Sequence, residues 1–374
     1  HFLNITCLKF FFSKSKFCLR FFEKYRLLPL ESLPTSGIVK SAYAEISAIV
    51  FIFMRRIDCH VHLVGDGSSG SGCRFRTPNL LRYLAARYLV RTTGLPASVL
   101  QGGLDEAYVA QLLSLVKASS IDAAVLLAMD MPRSDDGQIL EEKANFYVPN
   151  DRVLELAAKH DEFIPACSIH PGRPDALEEL EKCIEGGAKV MKLLPNCHNV
   201  NCSDSDFRPF WERMAKGGMV FLAHTGGEYT IPVLNKEYAD PRVLRLPVEC
   251  GVITIAAHAA GRSGLIDSDY TGELIKMFDD FSHLFADNSA LATLNRWRTI
   301  KKLLPPEVCS RVLHGSDFPV PSGGFGPWVG RQLKWKDFRT ISRESNTIER
   351  DALLKTAIGF PDETFTRLDG LLPS

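Results

Sequence analysis

Short apolar runs alternate with amphipathic stretches along most of this chain. Eight runs have the length and composition of buried strands, at residues 56–60, 121–128, 163–169, 189–194, 219–224, 252–257, 283–287 and 311–315. The segments between them repeat apolar residues at helical spacing, as in Phe207, Phe210, Trp211 and Met214. Strands separated by helices in this way predict a (β/α)8 TIM barrel. A doubly wound open sheet is the alternative, but it would need a glycine-rich phosphate loop after the first strand, and this sequence has none there.

The gap between the first two predicted strands is the longest. It contains the glycine-rich stretch 65–72 and two predicted helices, at 78–90 and 104–118. An insertion at the carboxyl end of the first barrel strand would cover the barrel mouth, so it predicts a lid, with a disordered surface loop as the alternative. Two short helices are predicted to close the chain, at 348–356 and 361–368.

Polar residues follow several of the predicted strands. His60 and His62 end the first strand, one residue apart, so they are expected to share one face. The residues that end the fourth, fifth, sixth and eighth strands are Lys192, His224, His258 and Asp317. Because these strand ends converge in a barrel, we expect the six side chains to meet at one opening. Imidazole nitrogen and carboxylate oxygen are zinc ligands, so the set predicts a metal site in which Asp317 also accepts a proton.

This ordered set resembles the amidohydrolase superfamily of metal-dependent hydrolases, over nearly all of residues 54–374. The run 192–195 with 221–224 is similar to a dihydroorotase-type arrangement, and 315–319 is similar to the amidohydrolase-related branch that contains decarboxylases. The resemblance implies an enzyme that uses a metal-activated hydroxide to cleave a C–N or C–O bond of a small molecule: an amide, cyclic amide, lactone or ester. The alternative is a one-zinc decarboxylase of the same superfamily, acting on an aromatic or dicarboxylic acid.

The resemblance leaves two metal arrangements open. In the two-metal arrangement His60, His62 and Asp317 hold one ion, His224 and His258 hold the other, and a carboxylated Lys192 bridges them. In the one-metal arrangement the ligands are His60, His62, His224 and Asp317, and His258 is the general acid or base. We favour two metals. Zinc is the expected ion, with manganese, iron or nickel as alternatives.

The composition limits the classes of partner that the chain is expected to bind. Lys plus Arg and Asp plus Glu both number 44, so the formal net charge is zero, which argues against a nucleic-acid partner and against a phosphodiesterase or nuclease. The sequence contains no run of apolar residues long enough to span a membrane, so no membrane partner is expected. Ten scattered cysteines indicate free thiols in a reducing compartment and predict a cytoplasmic protein. The expected partner is a small-molecule substrate, and a homodimer is compatible with the sequence.

Residues 1–53 differ from the rest of the chain. They hold nine of the 23 phenylalanines and seven lysines and arginines against three acids. The first methionine is Met54, directly before the predicted first strand. A transit peptide, a small packing extension and upstream sequence translated in frame are the three interpretations, and we favour the third. We therefore predict a non-native or disordered extension over 1–53 and a single barrel domain over 54–374.

Other polar residues have smaller predicted roles. Arg74 and Arg76 follow the glycine-rich stretch and are candidates to bind an anionic substrate. Glu228, four residues after His224, is expected to support a ligand by hydrogen bonding. Cys59, next to His60, is predicted to face the helical layer as a core residue.

Overall fold

Eight parallel strands in chain order form a nearly closed barrel in the computed structural model, which describes residues 54–264 and 267–373. The predicted extension over 1–53 lies outside the described residues. The strands are β1 (Ile57–His62), β2 (Arg74–Phe75), β3 (Ala123–Leu127), β4 (Phe146–Tyr147), β5 (Phe163–Cys167), β6 (Val190–Leu193), β7 (Val220–Ala223), β8 (Thr254–Ala256), β9 (Leu284–Asp287) and β10 (Val312–Leu313). All except β2 and β4, which pair as a separate two-stranded antiparallel sheet, belong to the barrel. The predicted TIM barrel is confirmed.

Helices lie between the strands and after the last one. They are α1 (Leu80–Thr92), α2 (Leu104–Lys117), α3 (Asn150–Lys159), α4 (Ala176–Glu185), α5 (Pro195–His198), α6 (Arg208–Lys216), α7 (Arg245–Glu249), α8 (Thr271–Asp280), α9 (Ile300–Leu303), α10 (Pro306–Cys309), α11 (Phe325–Val329), α12 (Trp335–Ile341), α13 (Thr347–Ile358) and α14 (Glu363–Thr366). The two predicted C-terminal helices correspond to α13 and α14, whereas α11 and α12 were not predicted. Within the described residues, no helix has the length and apolarity that crossing a membrane requires.

The barrel closes between β1 and the segment that begins with β10. The backbone N–H of Cys59 donates to the His314 carbonyl at 2.9 Å, and that of His62 donates to the Phe318 carbonyl at 2.9 Å. The Asp317 N–H in turn donates to the His60 carbonyl at 2.9 Å. These bonds hold the first and last strand ends side by side, which brings the two histidines next to Asp317.

A β-bulge in β1 sets the direction of its side chains. Pairing with β3 shifts by one residue between Asp58 and Val61, so β1 carries one extra residue there. Cys59 packs in the barrel interior with Val190 and Leu222, and His60, the next residue, also faces inward onto Lys192. The prediction that Cys59 faces the helical layer was therefore wrong, because strict alternation fails at a bulge.

The insertion after β1 is organised by one buried carboxylate. Asp105, in the first turn of α2, is 3% exposed and accepts hydrogen bonds from the N–H of Asp66 (2.8 Å) and of Ser69 (3.0 Å). The hydroxyls of Ser69 and Ser71 donate to it at 2.8 and 2.7 Å. Burial raises the pKa of Asp105, but these hydrogen bonds outweigh burial and lower it to about 2. The glycine-rich stretch thus has a defined structure, and the disordered-loop alternative does not hold.

We expect Asp105→Asn to lower the free energy of unfolding by about 2 kcal/mol at pH 7, because the pKa shift stabilises the ionised folded state. A lowered folded-state pKa gives stabilisation that is complete above the unfolded-state value near 4 and fades as the pH falls toward 2. Urea unfolding of both proteins at several pH values measures this difference. The difference in the free energy of unfolding between the two proteins should shrink between pH 5 and pH 2.5. A difference that does not depend on pH would contradict the role of the Asp105 charge.

Candidate active site

The six strand-end residues predicted from the sequence converge at the carboxyl ends of the barrel strands. His60 Nε2 lies 3.2 Å and His62 Nε2 lies 3.3 Å from the same Asp317 oxygen, Oδ1. Lys192 Nζ lies 3.1 Å from His60 Nε2. The imidazole of His258 has its ring centroid 5.2 Å from that of His60 and 4.9 Å from that of His224. The set therefore forms one contiguous cluster.

Each side chain reaches the cluster for a local reason. Lys192 and His224 lie two residues beyond Val190 and Leu222, which point into the barrel, so alternation directs both inward. His258 and Asp317 follow the ends of their strands in left-handed backbone conformations, with φ of 57° and 66°. Such conformations are costly for residues with a Cβ and are held by the surrounding structure, often at functional sites.

Asp287 and Ser289 support the histidines from behind, and the sequence analysis missed both. The Asp287 carboxylate lies 2.8 Å from His60 Nδ1 and accepts the His258 backbone N–H at 2.7 Å. The Ser289 carbonyl lies 3.2 Å from His258 Nδ1. These contacts favour the tautomer of His60 and His258 with the proton on Nδ1, in which Nε2 carries the lone pair that binds a metal ion or a proton. Asp287 ends a predicted strand just as the six residues do, so the same signal would have found it.

Burial keeps the imidazoles of His60, His224 and His258 neutral. Burial, together with Lys192, lowers the pKa of His60 to about 4. Burial also lowers the pKa values of His224 and His258 well below the usual value. Burial lowers the pKa of Lys192 to about 8. Neutral imidazoles are the form that binds metal ions, and a lysine with this pKa has a reactive neutral fraction near neutral pH.

The donor set fits a divalent metal ion. The ligand atoms of His60, His62 and Asp317 all lie within 4.8 Å of one another. His224 Nε2 is buried and has no hydrogen-bond partner in the described residues, which is costly for a polar atom unless a ligand satisfies it. Three imidazoles and one carboxylate are the chemistry of a zinc site. A second group, His60 with His258 and Asp287, is the hydrogen-bonded support described above.

A cavity of about 550 Å³ lies over the cluster. His62, Lys192, His224, His258 and Asp317 line its floor. The insertion supplies much of its wall, through β2 and α1, which confirms the predicted position of the insertion over the barrel mouth. Phe146 of β4, which pairs with β2, adds to the same wall. The wall is mainly apolar and includes Phe75, Leu81, Leu89, Phe146 and Ile231.

The two arginines after the glycine-rich stretch have different surroundings. Arg76 lines the cavity, and its side chain forms no ion pair with any of the described residues. Arg74 instead pairs with Glu141 at 3.4 Å and does not line the cavity. The loop after β7 adds Glu228, whose Oε2 lies 3.6 Å from His224 Nε2 and whose Oε1 accepts the Ile231 N–H at 3.1 Å.

Buried Arg296, which the sequence analysis also missed, joins the loops that follow β7 and β8. Its guanidinium donates to the Gly261 carbonyl at 3.3 Å and to the Gly227 carbonyl at 2.5 Å. His224 and His258 lie at the starts of these loops, so Arg296 fixes their relative position. Arg296 follows no predicted strand, and therefore no strand-end signal marks it.

Glycine is required at position 315. A Cβ there would lie 2.8 Å from the His60 Cβ and 3.2 Å from the Ser289 Cβ. We expect Gly315→Ala to push His60 from Asp317 and to lower the free energy of unfolding by about 1–3 kcal/mol. Titration calorimetry with Zn²⁺ and thermal melts measure both effects. Gly323→Ala, where a Cβ meets no atom within 4 Å, is the control, and equal behaviour of the two variants would contradict the packing argument.

Comparisons with known proteins agree with this geometry. A family model described as "Amidohydrolase" matches residues 57–340. An uncharacterized TIM-barrel protein from Bordetella bronchiseptica is 16% identical, with coverage of 80% of this chain and 98% of that chain and a TM-score of 0.51, which shows a shared fold. A second match is 5-carboxyvanillate decarboxylase LigW from Sphingomonas paucimobilis, with 14% identity, coverage of 82% of this chain and 100% of that chain, and a TM-score of 0.43. A third is 4-oxalomesaconate hydratase LigJ from Rhodopseudomonas palustris, with 14% identity, coverage of 84% of this chain and 97% of that chain, and a TM-score of 0.44. The search of curated proteins gave no match.

Proposed function

Because this chain belongs to the amidohydrolase family, we propose that it is a metal-dependent hydrolase that cleaves a C–N or C–O bond of a small molecule. Amides, cyclic amides, lactones and esters are the substrate classes. The observation that carries this proposal is the approach of His60 Nε2 and His62 Nε2 to one Asp317 oxygen, at the floor of the cavity that His62 and Asp317 line. Two imidazole nitrogens and one carboxylate beside a substrate-sized space are the ligands that a protein supplies in a catalytic metal site.

In the two-metal arrangement proposed for the hydrolase, His60, His62 and Asp317 would hold one ion, and His224 and His258 would hold the other. In the one-metal arrangement His60, His62, His224 and Asp317 would hold a single ion. Zinc is the proposed ion, and manganese, iron and nickel suit the same donors. When bound, such an ion lowers the pKa of water to about 7 and polarises a carbonyl oxygen. The hydrogen bond from His60 to Asp287 fixes the imidazole in the orientation that presents Nε2 to the ion.

Asp317 is the proposed proton carrier. The neighbouring histidines hold its pKa well below the usual value despite its burial, so it enters the reaction ionised. It accepts the proton of the attacking water as the new C–O bond forms, and it gives that proton to the leaving nitrogen or oxygen as the substrate bond breaks. His258, neutral and lining the cavity, presents an unprotonated Nε2 that accepts a hydrogen bond from the substrate or shares this proton transfer.

Lys192 decides between the two metal arrangements. Its amine, fully buried with a pKa lowered to about 8, has a neutral fraction that can attack carbon dioxide. The N–C bond forms, the nitrogen loses one proton, and the resulting carbamate carries two oxygens and one negative charge. That group would replace a buried ammonium beside cations, which burial disfavours. In the two-metal form this carbamate would supply the oxygen ligands that complete the imidazole and carboxylate set.

A one-metal decarboxylase of an aromatic or dicarboxylic acid is the second candidate function. The observation that favours it concerns the groups of three metal-ligand atoms in the described residues: the group of His60, His62 and Asp317 is the one with two members, His62 and Asp317, that line the cavity, as would suit a single ion. In that arrangement His258 is the general acid or base: it would take up a proton at Nε2 and give it to the carbon from which carbon dioxide leaves. Lys192, 3.1 Å from His60, remains an amine.

Metal stoichiometry and product analysis separate the two functions. The hydrolase with two metals requires close to two ions per chain and activity that depends on bicarbonate, and Lys192→Met should lose the second ion. A substrate panel in water labelled with oxygen-18 should yield one labelled oxygen in the acid product. One ion per chain, no bicarbonate dependence and release of carbon dioxide from aromatic or dicarboxylic acids would establish the decarboxylase instead. If metal is bound but no member of the panel yields either product, both proposed functions are rejected.

Arg76 predicts an anionic group on the substrate, distant from the bond that breaks. It lines a largely apolar cavity without an ion-pair partner in the described residues. We expect Arg76→Met to raise KM for a carboxylated substrate by about 10–100-fold with little change in kcat, because a charge-assisted hydrogen bond contributes about 1.5–3 kcal/mol to binding. Arg74→Met, outside the cavity, is the matched control. An equal effect of both variants on KM would show that the charge acts at long range and not by contact.

A further inference from the structure

The segment from residue 325 to residue 343, which contains α11 and α12, concentrates positive charge in a chain of zero net charge. It carries one carboxylate, Asp337, and five cations: Arg331, Lys334, Lys336, Arg339 and Arg343. All five cationic residues are exposed, and none forms an ion pair within the described residues. Unpaired cations at this density form a local positive field that the net charge of the chain does not reveal.

Apolar side chains lie among these cations with much of their surface in solvent. Phe325 is 49% exposed, Val329 53% and Trp335 54%. Trp328 stacks on Phe338 with ring centroids 5.4 Å apart, and Trp335 packs 5.0 Å from Trp328. The result is an aromatic cluster that is anchored on its inner side and bare on its outer side. We call this cluster with its five cations the basic aromatic patch.

We infer that the basic aromatic patch docks on the surface of an anionic phospholipid bilayer. Tryptophan and phenylalanine favour the interface between headgroups and acyl chains, and exposed Val329 adds an aliphatic contact. Lysine and arginine beside them bind lipid phosphates and are attracted by the negative surface. The attachment is peripheral and does not span the bilayer. The expectation of no membrane partner rested on the lack of a spanning segment, which does not describe a local surface patch.

The charge of the patch disfavours a second copy of this chain as the occupant, and its ring packing disfavours a single-stranded nucleic acid. A second copy of the chain would bring the same five cations against each other, which opposes a symmetric interface. A single-stranded nucleic acid would need free ring faces for base stacking. The stacking of Trp328 on Phe338, with an interplanar angle of 9°, leaves at most one face of each of these two rings for a base.

Vesicle co-sedimentation of the full chain tests the inference. We expect at least about tenfold more protein bound to phosphatidylcholine vesicles containing about one-third phosphatidylserine than to phosphatidylcholine alone, with the difference falling as salt rises. Lys334→Glu with Lys336→Glu should abolish most of the difference. Lys216→Glu with Lys301→Glu, two exposed lysines outside the patch, changes the net charge equally and should bind like the wild type. Trp335→Ala should weaken binding at least about fivefold.

Three outcomes would overturn the inference. They are equal binding to both vesicle types, equal loss of binding in the two lysine pairs, and binding of a thymidine oligonucleotide in preference to the vesicles. Circular dichroism melts of each variant establish that it is folded. If Trp335→Ala is unfolded, a blue shift of wild-type tryptophan fluorescence on adding anionic vesicles keeps the test decisive, because no shift would then contradict docking.

Discussion

Asp317→Asn is expected to lower kcat/KM by at least about 10³-fold while the protein stays folded. The change removes the charge of a metal ligand and the group that carries the proton, both in one step. Asparagine suits this test because Asp317 has a φ of 66°, and asparagine adopts that left-handed conformation more readily than most residues. The backbone bonds from Asp317 to His60 and from Val320 to Asp317 therefore persist.

Steady-state kinetics on the substrate found in the panel, together with zinc titration calorimetry, measure the effect of Asp317→Asn. Asp280→Asn removes an equal charge from the exposed end of α8 and is the control. The account requires both weaker zinc binding and loss of turnover. Activity within about threefold of the wild type would exclude Asp317 as the proton carrier.

The double variant His60→Ala with His62→Ala is expected to lose bound metal and activity together. Two of the nitrogens that face the proposed ion disappear, and Asp317 loses both of its nearby imidazole contacts. We expect zinc affinity to fall by more than about 10³-fold, since removal of even a residue that only supports a ligand costs about 10–100-fold. Elemental analysis after dialysis and zinc titration calorimetry measure the loss.

The control for this double variant is His160→Ala with His283→Ala, which removes two histidines that lie outside the cluster. Metal content equal to the wild type is expected in the control. Because the cavity left by two buried side chains can destabilise the barrel, His60→Asn with His62→Asn serves as a second variant that preserves more volume. Retention of metal in either double variant of His60 and His62 would refute their assignment as metal ligands.

Much of the barrel could be predicted because local patterns encode it. The eight apolar runs match the strands to within a few residues, since a strand buried on both faces needs a continuous apolar sequence. Residues that end such strands must lie at the barrel mouth, and that rule alone brought His60, Lys192, His224 and Asp317 together. His258 also lies there, although its left-handed backbone, not strand alternation, directs it.

The features that could not be predicted depend on partners distant in the chain. The bulge at Asp58–Val61 exists only in register with β3, so alternation within β1 gave the wrong face for Cys59. The two-stranded sheet of β2 and β4 joins segments that are about 70 residues apart, and each strand has two residues, which is too short for a periodic signal. The order in the glycine-rich stretch comes from Asp105, about 35 residues downstream. Asp287 is the exception, because its position at a strand end was visible in the sequence.

Anomalous X-ray diffraction from crystals grown with zinc tests the central claim most directly. The account predicts an anomalous peak on the cavity floor, about 2.0–2.2 Å from His60 Nε2, His62 Nε2 and an Asp317 oxygen, with His224 Nε2 completing the ligands. A second peak near His258, joined by density on Lys192 Nζ, would identify the two-metal form. A zinc-saturated crystal with no peak within reach of His60, His62 and Asp317 would contradict the proposed metal site and the enzyme mechanism that depends on it.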